Sequence, residues 1–173
     1  IATVPNQPIA WVSLDSSDNT PASFWTYVLT ALQGIQPSLG QRALSFVQSS
    51  QPPAIETVLM MVLNELTAFD ADITLVLDDY HVIEVPAIHE GIGYFLSHLH
   101  PNVHLIIASR ADPPLALARL RSHGDLTELR VSDLRFTPDE AAAFLNQGMG
   151  LEISPDDVVA LEQRTEGWIA GLQ

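Results

Sequence analysis

The stretch Ile73-Thr74-Leu75-Val76-Leu77-Asp78-Asp79-Tyr80-His81 constrains the fold more than any other part of the chain. Five apolar or β-branched residues run without interruption into two adjacent carboxylates. An unbroken run rich in Val, Ile and Leu suits a strand buried on both faces, as in a parallel sheet covered by helices. The carboxylates then stand at the strand's C-terminal end. In open α/β sheets, ligands bind outside the carboxyl ends of the strands. Asp78 and Asp79 are therefore the first candidates for chemistry, and the remaining segments are best placed relative to them.

Other segments repeat the pattern. Ile9 to Leu14 is a short apolar run that stops at Asp15, and Val103 to Ala108 is another that runs into Ser109-Arg110. Both are expected strands. Leu126 to Val131 alternates and gives a further expected strand. Between them lie helical signals. Thr20-Pro21 supplies an N-cap and a first-turn proline, followed by Phe24, Trp25, Val28, Leu29 and Leu32 at helical spacing, with Gly34 as the expected stop. Leu39 to Gln51 is a weaker amphipathic helix. After Pro52-Pro53, Ile55, Val58, Leu59, Val62, Leu66 and Phe69 keep a 3.6-residue period. Pro86 opens another helix, and Leu115 to Arg121 a short one.

From about Asp133 the pattern is helical only. Thr137-Pro138-Asp139-Glu140 has the form of a capping box, Ser154-Pro155 repeats the start signal, and Gly167 to Leu172 is expected to be helical. Strands alternating with helices argue for βαβ units and a parallel sheet. The expected division is an α/β core over residues 1–132 and the beginning of a helical subdomain over 133–173.

Charge narrows the function. Seven basic residues face 21 acidic ones, for a formal charge of −14, and every basic residue is Arg. Affinity for nucleic acid rests on Lys and Arg neutralising phosphates, so direct nucleic-acid contact is disfavoured. With no cysteine there is neither a disulfide nor a thiolate metal site. No apolar run approaches the roughly 20 residues that span a bilayer, so a soluble, cytoplasmic protein is expected.

Two carboxylates ending a buried strand suit a Mg-nucleotide site, one holding the metal and the other orienting an attacking water. At about 5 Å separation and an effective dielectric near 20 their repulsion is roughly 3 kcal/mol, which a nearby cation would relieve. The plain alternative is a strand end entering a loop. Arg110, ending the neighbouring strand, would reach the same crevice and contact a phosphate; the alternative there is a salt bridge to Asp79 or Asp112. The six His have no matched spacing for a metal cage. An acidic pair at a strand end also occurs in phosphoacceptor receiver domains, but these need a Lys and a further strand-terminal Asp. A plain α/β interaction domain without a site stays open.

Leu75 to His81 resembles the Walker B strand of STAND-type signal-transduction NTPases, and Ile106 to Arg110 resembles their sensor strand. Asp133 to Thr137 and Thr165-Glu166-Gly167-Trp168 are similar to the region after the core in the MalT-like, LuxR-type branch of bacterial transcriptional activators. Ala10 to Asp15 with Phe24-Trp25 resembles the second strand and helix of that module. The resemblance implies a partial P-loop NTPase-like sheet with Asp78 as the Mg ligand, Asp79 as the catalytic or water-orienting acid, and Arg110 as the γ-phosphate sensor. Gly167 and Trp168, with Ile169 and Ala170, would lie on the adenine side.

The resemblance departs at the phosphate-binding loop, which needs a Lys that this chain lacks. It therefore implies a fragment starting just after that loop, with Ile1 to Pro5 as the last turn of the following helix. The parent would be a slow regulatory ATPase using ATP and Mg; the fragment itself is expected to bind ATP weakly or not at all and to be inactive. Its partners would be the rest of the activator, whose DNA-binding and sensor parts lie elsewhere. The lost first strand would be central, between the sensor strand and the last strand. Its loss would leave open strand edges, with self-association, a rearranged filler or a detached last strand as the outcomes.

Overall fold

The computed structural model describes residues 7–168. The expected turn at Ile1 to Pro5 and the expected helix from Ile169 to Leu172 lie outside the described residues. Two compact units divide the chain, residues 1–116 and 117–173.

The first unit is built on three parallel strands in the order β1-β2-β3: Ile9–Ser13, Ile73–Asp78 and Val103–Ile107. The expected parallel α/β sheet is present. The register pairs Ile9 with Thr74, Ser13 with Asp78, and Ile73 with Val103. Four helices accompany it: α1 (Pro21–Ile35), α2 (Gln41–Val47), α3 (Ile55–Thr67) and α4 (Pro86–Ser97). One face of each strand joins their core. Ala10, Val12, Leu75, Leu77 and Val103 pack with Phe24, Trp25, Leu29, Val58, Leu59, Ile88 and Phe95.

Local chemistry sets the helix ends. The Thr20 hydroxyl accepts from the Ser23 amide, with Pro21 in the first turn. Gly34 does not stop α1. The helix runs one residue further, and Gln36 turns extended (φ −146°, ψ 123°) because it precedes Pro37. A different glycine matters more. A Cβ at Gly91 on α4 would stand 2.8 Å from the Trp25 ring, so only glycine lets α4 approach the buried indole this closely. The far end of the sheet is tied by Asn102, whose side-chain amide donates to the carbonyls of Phe69 (2.8 Å), Leu66 and Ala71 (both 3.3 Å).

The opposite face of the sheet differs from the expectation of helices on both sides. Side chains alternate along a strand, so Ile9, Trp11, Val76 and Ile106 share this face, and the register places Trp11, Val76 and Ile106 in one row. Val76 is buried between its neighbours, but Trp11 is 59 % and Ile106 51 % exposed. The central strand is buried on both faces, as its composition requires; the flanking strands are not.

The second unit is helical: α5 (Leu117–His123), α6 (Val131–Leu134), α7 (Pro138–Ala142), which continues as one π-helical stretch to Gly148, and α8 (Pro155–Thr165). The Thr137–Glu140 capping box forms, and the Ser154 hydroxyl accepts from the Asp157 amide. Ala141, Leu145 and Val158 make a small core with Phe136, Phe144 and Ile153 around it. Asn146 bridges Ile153 through both its donor and its acceptor, at 3.1 and 2.8 Å.

The strand expected at Leu126 to Val131 does not form. Val131 opens α6, residues 125–130 join no ladder, and Leu129 is 72 % exposed. A strand exists only where its backbone groups find a partner. The segment's side chains are tied locally instead: Glu128 accepts a bidentate pair from Arg121 at 2.7 and 2.8 Å and a further bond from Arg130.

Candidate functional site

The β2 run ends at Asp78, and the chain must turn at once. Asp79 does so in the left-handed region, φ 56° and ψ 34°. For a residue with a Cβ this conformation costs about 1–2 kcal/mol, and such strain persists only where surrounding structure over-determines it, most often at functional positions. The Asp79 amide donates to Asp78 Oδ1 at 3.0 Å. The Asp78 carboxylate is thus engaged by the backbone of the next residue and is half-buried, while Asp79 at the apex is exposed.

Both neighbouring strands hold this apex. On the β1 side the Leu14 amide donates to the Asp78 carbonyl at 3.0 Å. On the β3 side Ala108 donates to Leu77 O and accepts from the Tyr80 amide, both at 2.9 Å. Ser109 and Arg110 follow at once, so the expected gathering of strand ends occurs: Asp78, Asp79 and the Ser109-Arg110 turn lie at one edge of the sheet. Arg110 is exposed, and the Ser109 hydroxyl donates to Ala111 O at 2.6 Å.

Beyond Asp79 a short 3-10 turn covers Tyr80–Val82. His81 Nδ1 lies 3.7 Å from Asp79 Oδ1, within ionic reach and beyond hydrogen-bond length. Tyr80 is buried against Phe24, and its hydroxyl meets His89 Nδ1 on α4 at 2.8 Å. Burial pushes the Tyr80 phenol upward and, as the larger effect, pushes the His89 imidazole downward, with a backbone bond at Ile83 opposing. An open cleft lined by Ile83, Glu84, Pro86, His89, Glu90 and Pro114 lies beside this turn.

The fit to a divalent cation is specific in kind. Asp78 and Asp79 offer hard oxygen donors, yet among the described residues no group of three or more His, Asp or Glu converges as a cage. Mg²⁺ held here would take most of its ligands from water and phosphate, which is how it is held in nucleotide sites. The phosphate-gripping Lys of such sites has no counterpart in the sequence.

Gly167 and Trp168 belong to the second unit. Gly167 has φ +72° after Glu166 in the left-handed region, and its carbonyl accepts from the Phe136 amide at 2.8 Å. Arg135 pairs with Glu166 at 2.9 Å. Trp168 is exposed. Ile169 and Ala170 lie outside the described residues.

No family model matches the chain. Among curated proteins, the HTH-type transcriptional regulator MalT of Yersinia enterocolitica is 35 % identical over 165 residues, covering 95 % of this chain and 18 % of the relative. This chain is MalT-like. The corresponding regulators of Yersinia pestis (strain Pestoides F) and Yersinia pseudotuberculosis serotype O:1b are 34 % identical over the same length. The MalT-like chain thus spans less than a fifth of the relatives it matches. Among its described residues no helix is long and apolar enough to cross a membrane.

One contributor at this strand end carries no local sequence signal. Asn19, in what reads as a polar loop, donates through Nδ2 to Val82 O at 3.0 Å and accepts at Oδ1 from the amides of Glu84 (3.0 Å) and Val85 (3.1 Å). Its partners lie 63 to 66 residues away, and no local pattern announces them.

Proposed function

We propose that this chain is the nucleotide-responsive part of a larger bacterial, cytoplasmic transcriptional regulator, in which ATP and Mg²⁺ bind at the C-terminal edge of the sheet and slow hydrolysis switches the regulator between states. The observation that carries the reading is the left-handed Asp79 projecting beside Asp78 at the end of a buried parallel strand. Asp78 would hold the metal, Asp79 would orient or deprotonate water, and Arg110 would meet the terminal phosphate. Bound Mg²⁺ would neutralise charge developing on the phosphates. The phosphate cradle would come from polypeptide outside this sequence, and the chain by itself would bind ATP weakly or not at all.

The test uses the full-length regulator. Asp78→Asn and Arg110→Ala are expected to abolish ATP-dependent activation of transcription while leaving the protein folded. Calorimetry on the 173-residue chain should show no Mg-ATP affinity in the low-micromolar range. Unimpaired activation in both variants would sink the reading.

A second reading, a non-catalytic interaction module, is favoured by the exposed Trp11 and Ile106 row. Loss of activation on changing that row, with Asp78→Asn silent, would select it.

A further inference from the structure

The segment after β1 grips the carboxylate turn from both sides. Leu14 bonds the carbonyl of Asp78, just before the apex. Asn19 bonds Val82, Glu84 and Val85, just after it. Asp79 lies between these two anchorages in a backbone conformation that a side-chain-bearing residue rarely adopts.

The gripping segment is itself braced. Asp18 is buried, and its carboxylate accepts from the Asp15 amide at 3.0 Å and the Ser23 hydroxyl at 3.3 Å. Asp15 in turn accepts from the Ser17 amide. Asn19 follows directly and precedes the Thr20 cap of α1, so its side chain starts from a fixed backbone. One carbonyl and two N–H groups must be met at once. A carboxamide has both a donor and an acceptor with two lone pairs; a carboxylate lacks the donor, and a hydroxyl is too short to span the set.

We propose that Asn19 is a positioning residue for Asp79. By fixing the chain beyond the apex while Leu14 fixes it before, Asn19 keeps Asp79 left-handed and its carboxylate aimed out of the strand end. This rests on the proposed role of Asp79 in orienting water. Its specific content is that geometry at Asp79, and not nucleotide affinity, depends on an amide in a different loop. Reacting groups displaced by about 1 Å lose rates on the order of a hundredfold, so the effect falls on turnover.

Three variants of the full-length regulator separate the possibilities. Asn19→Ala is expected to lower kcat for ATP hydrolysis about tenfold or more, with KM within about twofold of the parent, the signature of a lost transition-state geometry. Asn19→Asp keeps the acceptor for Glu84 and Val85 and should recover part of kcat. In the 173-residue chain, amide exchange at Glu84 and Val85 should speed up in Asn19→Ala and stay slow in Asn19→Asp. Asp79→Asn is the control. If it leaves hydrolysis intact, the reading of Asp79 fails, and the role of Asn19 with it. If Asp79→Asn stops hydrolysis but Asn19→Ala, at equal folded fraction, keeps the parental kcat or changes only KM, Asn19 is a structural tie and the proposal is overturned.

Discussion

The Tyr80 hydroxyl lies 2.8 Å from Nδ1 of His89, joining the turn after the paired carboxylates to helix α4. Burial favours the protonated phenol and the neutral imidazole, and the His89 tautomer sets which of the two groups donates. His89 has a folded pKa below its unfolded value of about 6.5, so the unfolded state binds more protons in between. The contribution is therefore present above about pH 6.5 and is lost as pH falls through the folded pKa. Urea unfolding at pH 7.5 and 5.5 should show lower stability at the acid value, with a smaller difference in His89→Gln. Tyr80→Phe should cost about 1 kcal/mol at pH 7.5, the usual net value of one such bond. Identical pH dependence in the parent and His89→Gln would refute the assignment.

Gly167 makes a sharper case. A Cβ there would stand 2.6 Å from the Phe136 carbonyl and 3.2 Å from Arg135 Cβ, and the residue sits at φ +72°. Gly167→Ala meets both a conformational and a steric penalty, and neither neighbour atom at the closest contact can swing away, since it is backbone. A loss of about 2–4 kcal/mol is expected in the helical unit. Hydrogen exchange over residues 136–168 should accelerate, while exchange in β2 stays as it was. Unchanged protection at Phe136 would show that the approach is looser than described.

What the sequence made legible, and what it did not, follows from the range of the interactions. The β2 strand, its end at Asp78 and the caps at Thr20, Thr137 and Ser154 are encoded within a few residues, and each is where the pattern places it. Gly91 and the bridging asparagines 19 and 102 answer to neighbours far along the chain, and nothing adjacent to them betrays the role. The left-handed turn at Asp79 is only half legible: Asp tolerates that region, but Tyr80 and His81 after it give no turn signal. Leu126 to Val131 misled for the converse reason. Alternation says that a segment can pair; it cannot say that a partner strand is present.

The open sheet face gives a prediction with two readouts. Trp11 and Ile106 are more than half exposed in one row, so a polar replacement removes apolar surface from water at little cost in packing. Trp11→Ser with Ile106→Thr should change stability by no more than about 1 kcal/mol, since exposed positions away from special features are usually near neutral. Binding of a solvatochromic dye should fall, and light scattering should show less self-association at high concentration. Destabilisation by several kcal/mol would mean that the row is covered.

Glu128 holds the segment that failed to become a strand. The bond from Arg121 is the largest influence on its carboxyl; desolvation opposes it, Arg130 adds a lesser pull, and together they bring the group down to about 2. The folded pKa lies below the unfolded one, so the pairing stabilises above about pH 4.5 and is lost as pH falls toward 2. The groups are exposed, so salt screens them. Glu128→Gln should therefore accelerate amide exchange over residues 121–131 at pH 7 in low salt, and the difference from the parent should shrink in 1 M salt. If the arginines alone keep this segment out of a ladder, Glu128→Gln should also free it to pair, and the amides of Leu126 and Leu129 would gain protection at high protein concentration. Faster exchange at all concentrations would instead show that the segment lacks a partner even when released.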